Sequence, residues 1–101
     1  MRLAVLKERR AGEARVAATP DTVKKLAALG ISVAIESGAG LLSAISDEDY
    51  TAAGAEIVPD AVAALTGAGI LFAVAPPDEA VRALIAPGTL LIATPLFKRT
   101  L

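Results

Sequence analysis

The chain has 101 residues, of which 54% are hydrophobic and 21% are charged, and its formal net charge is −1. This length suits one compact domain rather than two, and the composition is typical of a folded chain with a buried core. A near-neutral charge and only three aromatic residues argue against a nucleic-acid partner. Because histidine and cysteine are absent, the usual zinc ligands, thiol nucleophiles and imidazole bases are missing, and we predict no metal site.

No apolar stretch approaches the roughly 18 residues that a membrane-spanning helix needs, because Gly, Pro and charged residues interrupt every run. The start at Met1 also lacks the long apolar segment and cleavage site of a signal peptide. These features predict a soluble, cytoplasmic domain without direct membrane insertion.

The first half of the chain alternates short apolar runs with helix-like segments. Residues 3–6 are too short for a helix and predict a buried strand. Thr19-Pro20 predicts the start of a helix that Gly30 ends, and the β-branched run 31–35 predicts a second strand. Strand, helix and strand then form a βαβ unit with parallel strands and a right-handed crossover.

The same cycle continues to the end of the chain. Ser46 and the acidic residues 47–49 predict a helix start, with Gly54 as its end. Three further strands are predicted at 55–58, 70–74 and 89–93, with helices at 60–66 and 78–85 between them. We therefore predict an α/β three-layer sandwich with a mainly parallel sheet of about five strands, Rossmann-like or flavodoxin-like, in the order 3-2-1-4-5.

Nothing in the sequence predicts a helix that would cover the fifth strand. Residues 94–101 follow it without a helical pattern and include the apolar pair Leu96-Phe97. Because an unpaired strand edge invites pairing, we expect this edge to support self-association or docking of another segment.

Charged residues cluster just after the first strand, where ligands of parallel α/β sheets bind: Lys7, Glu8, Arg9, Arg10, Glu13 and Arg15. Most surface loops carry charges without a binding role. Arg15 stands out because the apolar residues 16–18 follow it, so its guanidinium could be held near buried backbone. A planar guanidinium binds a carboxylate in two parallel hydrogen bonds, which makes Arg15 the candidate substrate-binding residue.

Two other motifs have structural explanations. Gly38-Ala39-Gly40 lacks the third glycine of a dinucleotide-binding G-x-G-x-x-G motif, because Ser43 stands at that position. We interpret it as a turn that lets two backbones approach, and we assign it no cofactor. The acidic triplet 47–49 is better explained as a helix N-terminus than as a metal site.

Several segments resemble the alanine dehydrogenase and nicotinamide nucleotide transhydrogenase N-terminal domain family. The segments 1–8, 12–20, 33–40 and 49–57 are similar to its successive sequence blocks, in the expected order. Segments 15–20, 36–40 and 86–89 are most similar to the transhydrogenase alpha subunit. The resemblance implies a proton-translocating NAD(P) transhydrogenase, in which this region belongs to the soluble NAD(H)-handling component.

The resemblance also implies partners and a location. Membrane subunits, an NAD-binding domain or subunit and a further copy of the chain are the partners implied, with the protein peripheral to the inner membrane. The glycine-rich NAD-binding domain that follows in the family has no equivalent within residues 1–101. We therefore expect NAD(H) to be bound mainly by a domain absent from this chain, and the chain alone to be inactive.

Some positions depart from the family pattern. In alanine dehydrogenases, the Arg that matches Arg15 holds the carboxylate of pyruvate, but the Lys and His of those enzymes correspond here to Ala75 and Leu96. The Lys usual at the end of the fourth strand in transhydrogenases corresponds to Ala73. We assign no catalytic residue. Two alternatives stay open: a catalytically inert binding or assembly module, and an alanine dehydrogenase fragment.

Overall fold

The computed structural model describes residues 1–8, 16–74, 79–93 and 97–100, and at residues 93 and 97–100 it describes the backbone alone. The strands are β1 Arg2–Val5, β2 Ser32–Glu36, β3 Glu56–Val58, β4 Ile70–Ala73, β5 Leu90–Ala93 and β6 Phe97–Thr100. The helices are α1 Pro20–Ala28, α2 Asp47–Ala52, α3 Ala61–Leu65 and α4 Glu79–Arg82, with a short 3₁₀ helix at Leu41–Ser43.

The strands form one sheet in the order β3-β2-β1-β4-β5-β6, and β1 to β5 are all parallel. The predicted order 3-2-1-4-5 is therefore confirmed. The central strand β1 pairs with β2 on one side, up to Val5 opposite Ile35, and with β4 on the other side, up to Val5 opposite Phe72. The chain thus reverses its direction across the sheet beside β1, which places a topological switch point between β1 and β4.

The expectation of an unpaired edge at the fifth strand was wrong. The segment Phe97–Thr100 forms β6 and pairs antiparallel to β5, with Ala93 opposite Phe97 and Leu90 opposite Thr100. Pro95 made a strand improbable at this point, because proline cannot donate to a sheet ladder, but it precedes β6 rather than lying within it. Lys98 and Arg99 are residue types that suit an edge strand, since charge opposes further strand addition.

Helices cover both faces of the sheet, so the predicted three-layer sandwich is confirmed. On one face, Val23 of α1 and Tyr50 of α2 pack with Leu3 and Val5 of β1 in one buried cluster. On the other face, residues of α3 and α4 pack with β1, β4 and β5 in a second cluster, which includes Ala4, Leu6, Ala61, Ala64, Leu65, Leu71, Val81 and Leu91.

The predicted helix starts are confirmed by their caps. The side-chain oxygen of Thr19 accepts a hydrogen bond from the Thr22 amide at 3.3 Å, and Pro20 occupies the first helical position. Ser46 and Asp49 form a reciprocal capping box at the start of α2. None of the helices in the described ranges is long and apolar enough to cross a membrane.

Helix α4 is shorter than the predicted 78–85. Asp78 lies outside the described residues, and α4 ends at Arg82. The amides of Leu84 and Ile85 donate to carbonyls three residues earlier, at 2.9 and 3.2 Å. The chain therefore leaves the α-helix through tighter i→i+3 turns, which a periodicity of apolar residues does not distinguish from a regular helix.

Tyr50 joins helix α2 to the segment before α1. Its side chain is fully buried, and its hydroxyl donates a hydrogen bond of 2.6 Å to the carbonyl oxygen of Ala18, which is also fully buried. Burial raises the pKa of Tyr50 to about 12, with a smaller contribution from the negative charge of Asp47.

We expect Tyr50→Phe to lower the free energy of unfolding by about 1–3 kcal/mol, because it leaves the buried Ala18 carbonyl without this donor. Urea denaturation followed by circular dichroism measures the change. Thr51→Ser is a matched control in the next position of α2, since it keeps a hydroxyl that can bond to the Asp47 carbonyl. A Tyr50→Phe variant as stable as the parent chain would show that the hydroxyl does not contribute.

The Tyr50 hydroxyl also makes stability depend on alkaline pH. Its pKa is about 12 in the folded chain and 10.0 as the reference value, so its contribution is complete below pH 10 and is lost as the pH rises towards 12. Tyr50 is the one tyrosine and there is no tryptophan, so tyrosinate absorbance reports this group alone. We expect a midpoint near 12 in buffer and near 10 in denaturant; equal midpoints would contradict the burial effect.

Candidate functional site

The candidate site lies at the carboxyl ends of β1 and β4, where the strand order reverses. Leu6, Lys7 and Glu8 leave β1 there, and Val74 leaves β4. In open parallel sheets this position forms a crevice between the loops that leave the two strands in opposite directions. The predicted location of the charge cluster at a strand end is thus confirmed for Lys7 and Glu8.

Glu8 bridges the two sides of this crevice. Its Oε2 atom accepts a hydrogen bond of 3.0 Å from the backbone amide of Val74, a residue 66 positions further along the chain. The Glu8 side chain is half-buried and Val74 is buried. A carboxylate that accepts from a partly buried amide makes a charge-assisted hydrogen bond, which is stronger than a neutral one.

Glu36 forms a similar contact on the other side of β1. It is the last residue of β2 and is buried, with 7% of its surface exposed. Its Oε1 atom accepts a hydrogen bond of 2.8 Å from the backbone amide of Lys7, whose side chain is exposed. Carboxylates from two different segments therefore hold consecutive positions of the β1 exit to its neighbours.

Arg15, the predicted substrate-binding residue, lies outside the described residues, as do Arg9, Arg10 and Glu13. The residues that follow Arg15 are described: Val16 and Ala17 pack half-buried against the cluster under α1 and α2, and Ala18 is fully buried. The expectation that an apolar, anchored stretch follows Arg15 is confirmed. Its role in binding a carboxylate stays a prediction.

The glycine turn after β2 is held by its own side chains. Gly38 has a φ of +83°, and its amide donates to Oδ1 of Asp47 at 3.0 Å. The hydroxyl of Ser37 donates to Oδ2 of the same carboxylate at 2.7 Å. The bond from the Gly38 amide and then that from Ser37 lower the pKa of Asp47 below its ordinary value.

Gly40 explains why this turn needs a second glycine. A Cβ atom at this position would lie 2.8 Å from the Ile45 Cβ atom, the Ile45 carbonyl oxygen and the Cε2 atom of Tyr50. The interpretation of the motif as a turn of close backbone approach is therefore confirmed. Its anchoring by Asp47 was not predicted, because the acidic triplet was explained by the helix N-terminus alone.

Other sequence candidates lie away from the crevice or outside the described residues. Ala73 is buried and packs in the cluster beneath α3 and α4. Ala75 and Leu96 lie outside the described residues. Within the described ranges, no three Asp or Glu residues are arranged to hold a metal ion. An open depression lined by Arg82, Ile85, Ala86 and Pro87 lies before β5, at the opposite edge of the sheet.

Glu8 and Glu36 are the site residues whose roles sequence reasoning missed. Both follow or end a buried strand, and a glutamate at such a place is available to accept hydrogen bonds from a neighbouring backbone. That signal exists in the sequence, but it does not reveal which amide lies opposite. The partner of Glu8 is 66 residues away, so only the three-dimensional register identifies it.

Comparison with known proteins relates the chain to one family. The model of the alanine dehydrogenase/PNT N-terminal domain matches residues 4–96. The first of the separate chains that make up the NAD(P) transhydrogenase alpha subunit of Rhodospirillum rubrum is 48% identical over 80 residues, which cover 79% of this chain and 21% of the relative. An alanine dehydrogenase of Methanococcus maripaludis is 52% identical over 61 residues, which cover 60% of this chain and 16% of the relative.

Solved structures share the fold. A transhydrogenase from Sinorhizobium meliloti superposes with a TM-score of 0.86 and 35% identity, over 92% of this chain and 27% of that one. An L-alanine dehydrogenase superposes with a TM-score of 0.82 and 33% identity, over 90% and 25%. The chain thus spans about a fifth of the length of the curated transhydrogenase relative.

We expect Gly40→Ala to destabilise the chain by about 1–3 kcal/mol, because its Cβ atom meets backbone and ring atoms that cannot easily move. Gly30→Ala is the matched control: it has a φ of +84° but nothing within 4 Å of the added atom, so its cost of about 1–2 kcal/mol is conformational. Only Gly40→Ala should change the tyrosine near-ultraviolet circular dichroism, which reports Tyr50. An unchanged spectrum in Gly40→Ala would contradict the packing.

Proposed function

The chain belongs to the alanine dehydrogenase/PNT N-terminal domain family, and we propose that it serves as the N-terminal part of the NAD(H)-handling component of a proton-translocating NAD(P) transhydrogenase. Such an enzyme transfers hydride between NAD(H) and NADP(H). The observation that carries this proposal is the 48% identity to the Rhodospirillum rubrum alpha-subunit chain over 79% of the present chain. This family consists of oxidoreductases that use nicotinamide cofactors, as the names of its members imply.

Coverage favours the transhydrogenase over alanine dehydrogenase. The transhydrogenase match extends over 80 residues, whereas the alanine dehydrogenase matches extend over 58 to 61 residues at a similar identity. The replacement of the alanine dehydrogenase Lys and His by Ala75 and Leu96 points the same way. Alanine dehydrogenase activity is therefore the weaker alternative.

The described residues do not fit the pyrophosphate of a dinucleotide. A pyrophosphate site needs free backbone amides and a positive field at a glycine turn. Here the Gly38 amide already donates to the Asp47 carboxylate, whose negative charge lies directly beside the turn. We therefore propose that NAD(H) binds mainly to another domain of the assembled enzyme, and that this chain forms one wall of the cleft.

The crevice beside β1 is the part of the chain that we propose faces the reaction. Glu8 and Glu36 fix the backbone at its mouth, and the loop that begins after Glu8 carries Arg15. We propose that Arg15 captures a carboxylate or orients a polar group of the bound ligand in this crevice. Hydride transfer requires its donor and acceptor to be held at a fixed distance, so a rigid wall contributes directly to the rate.

The partner surfaces follow from the same assignment. The Rhodospirillum rubrum relative is named as a portion of an alpha subunit, which implies a complex with further subunits. We propose that this chain docks an NAD-binding domain, associates with a second copy, and lies in the cytoplasm at the inner membrane through membrane subunits. An inert assembly module of the same fold is the alternative, favoured by Ala73 at the position where the family usually has Lys.

The first test transplants the chain. Residues 4–96 replace the matching segment of the Rhodospirillum rubrum alpha-subunit chain, and reduction of an NAD analogue by NADPH is assayed with the partner subunits present. We expect activity within about tenfold of the parent, because a misplacement of about 1 Å already costs roughly 100-fold. A folded but inactive chimera favours the inert module, and pyruvate reduction with NADH favours alanine dehydrogenase.

Calorimetric titration of the isolated chain with NADH accompanies this assay. We expect no micromolar binding, because the described turn offers no pyrophosphate site. Micromolar affinity of the chain alone would contradict the proposal that another domain supplies the main NAD(H) contacts.

We expect Arg15→Lys to retain the positive charge and the stability of the chain but to weaken carboxylate binding by about tenfold or more, because lysine cannot form two parallel hydrogen bonds. Pyruvate is the probe, titrated into the labelled chain and followed by nuclear magnetic resonance. Arg82→Lys, at the exposed opposite edge, is the control. Destabilisation of Arg15→Lys by several kcal/mol would instead identify Arg15 as a structural ion-pair partner.

A further inference from the structure

The backbone ladders on both sides of β1 stop before the crevice. On the β4 side the last paired residues are Val5 and Phe72, and on the β2 side they are Val5 and Ile35. Parallel strands are held together by evenly spaced backbone hydrogen bonds. Beyond Val5, therefore, the relative position of the strand exits depends on other contacts.

Two glutamate side chains make these contacts. Glu36 accepts from the Lys7 amide at 2.8 Å, which continues the connection between β2 and the β1 exit. Glu8 accepts from the Val74 amide at 3.0 Å, which continues the connection between the β1 exit and β4. The second contact differs from the first in one respect: it spans the switch point itself.

We propose that Glu8 is a positioning residue that sets the separation of the β1 and β4 exits, and thereby the width of the crevice between them. The reach of a glutamate side chain fixes how far the Lys7-Glu8 backbone lies from Val74. A hydrogen bond to a carboxylate has a narrow range of distances, so the two loops cannot move independently. The consequence for catalysis rests on the proposed function, since it assumes that a ligand occupies this crevice.

Three substitutions separate geometry from charge and from stability. Glu8→Gln keeps the length and an acceptor oxygen for the Val74 amide. Glu8→Asp keeps the charge but shortens the side chain by one methylene group. Glu8→Ala removes the acceptor altogether. Glu48→Ala, on the exposed surface of α2, is the matched control for loss of a carboxylate.

The first measurement uses the chain alone. We expect hydrogen exchange of the Val74 amide to accelerate by about tenfold or more in Glu8→Ala, because one charge-assisted hydrogen bond is lost. Its chemical shift should change in Glu8→Ala and Glu8→Asp, and stay close to the parent value in Glu8→Gln and Glu48→Ala. A Val74 amide unaffected by Glu8→Ala would overturn the proposal.

The second measurement uses the transhydrogenase chimera. We expect kcat/KM for hydride transfer to fall by about 10- to 100-fold in Glu8→Ala and Glu8→Asp, and Glu8→Gln to restore it to within about twofold. A purely structural role predicts equal loss of stability and no such separation between Asp and Gln. Parent-like kcat/KM in Glu8→Ala would overturn the proposal.

The two measurements keep this inference separable from the proposed function. If the parent chimera is inactive, the proposed function fails, and the Val74 amide alone decides whether Glu8 positions the two exits. If Glu8→Ala does not fold, the comparison of Glu8→Gln with Glu8→Asp supplies the same test. Parent-like values for both of those variants would then overturn the role of Glu8.

Discussion

The position of β1 is the constraint on which the rest of this structure depends. This strand lies between β2 and β4 and is buried on both faces, with Leu3 and Val5 towards α1 and α2 and Ala4 towards α3. A strand in this position has no polar side, so polar residues begin where its neighbours can no longer cover it. The charged segment that starts at Lys7 therefore begins at the edge of the sheet, beside the switch point.

A second set of contacts fixes the segment that enters α1. Ala18 is held through its carbonyl by Tyr50, and Tyr50 packs against the turn at Gly40. Asp47 holds the same turn through Gly38. The residues on both sides of positions 9–15 are thus attached to the folded core, Glu8 through β4 and Ala18 through α2. A loop anchored at both ends loses less conformational entropy when it binds a ligand.

Much of the fold could be predicted from local signals. The runs of Val, Ile and Leu identified the parallel strands, because strands covered on both faces are apolar throughout. Thr19, Ser46 and Asp60 marked helix starts through hydrogen bonds within a few residues. The order of strands followed from the alternation of elements and the handedness of crossovers. β6 was missed because its pairing with β5 outweighs a weak local pattern.

The site was less predictable, for a physical reason that its contacts illustrate. The bond between Glu8 and Val74 joins residues far apart in sequence, and that between Glu36 and Lys7 depends on how two strands end. No spacing rule relates such pairs, since each acceptor is set by the sheet register. The glycine turn was the opposite case, because the absence of a third glycine correctly argued for a structural role.

The described residues at the crevice supply acceptors rather than donors. Glu8, Glu36 and Asp47 each accept a hydrogen bond from a backbone amide, so their negative charges serve the architecture of the chain. An anionic or dinucleotide ligand requires donors and positive charge instead. Those groups must come from the loop that contains Arg15 and from the partner that closes the cleft. The fold of this chain therefore prepares a rigid boundary, and the chemistry depends on what is placed against it.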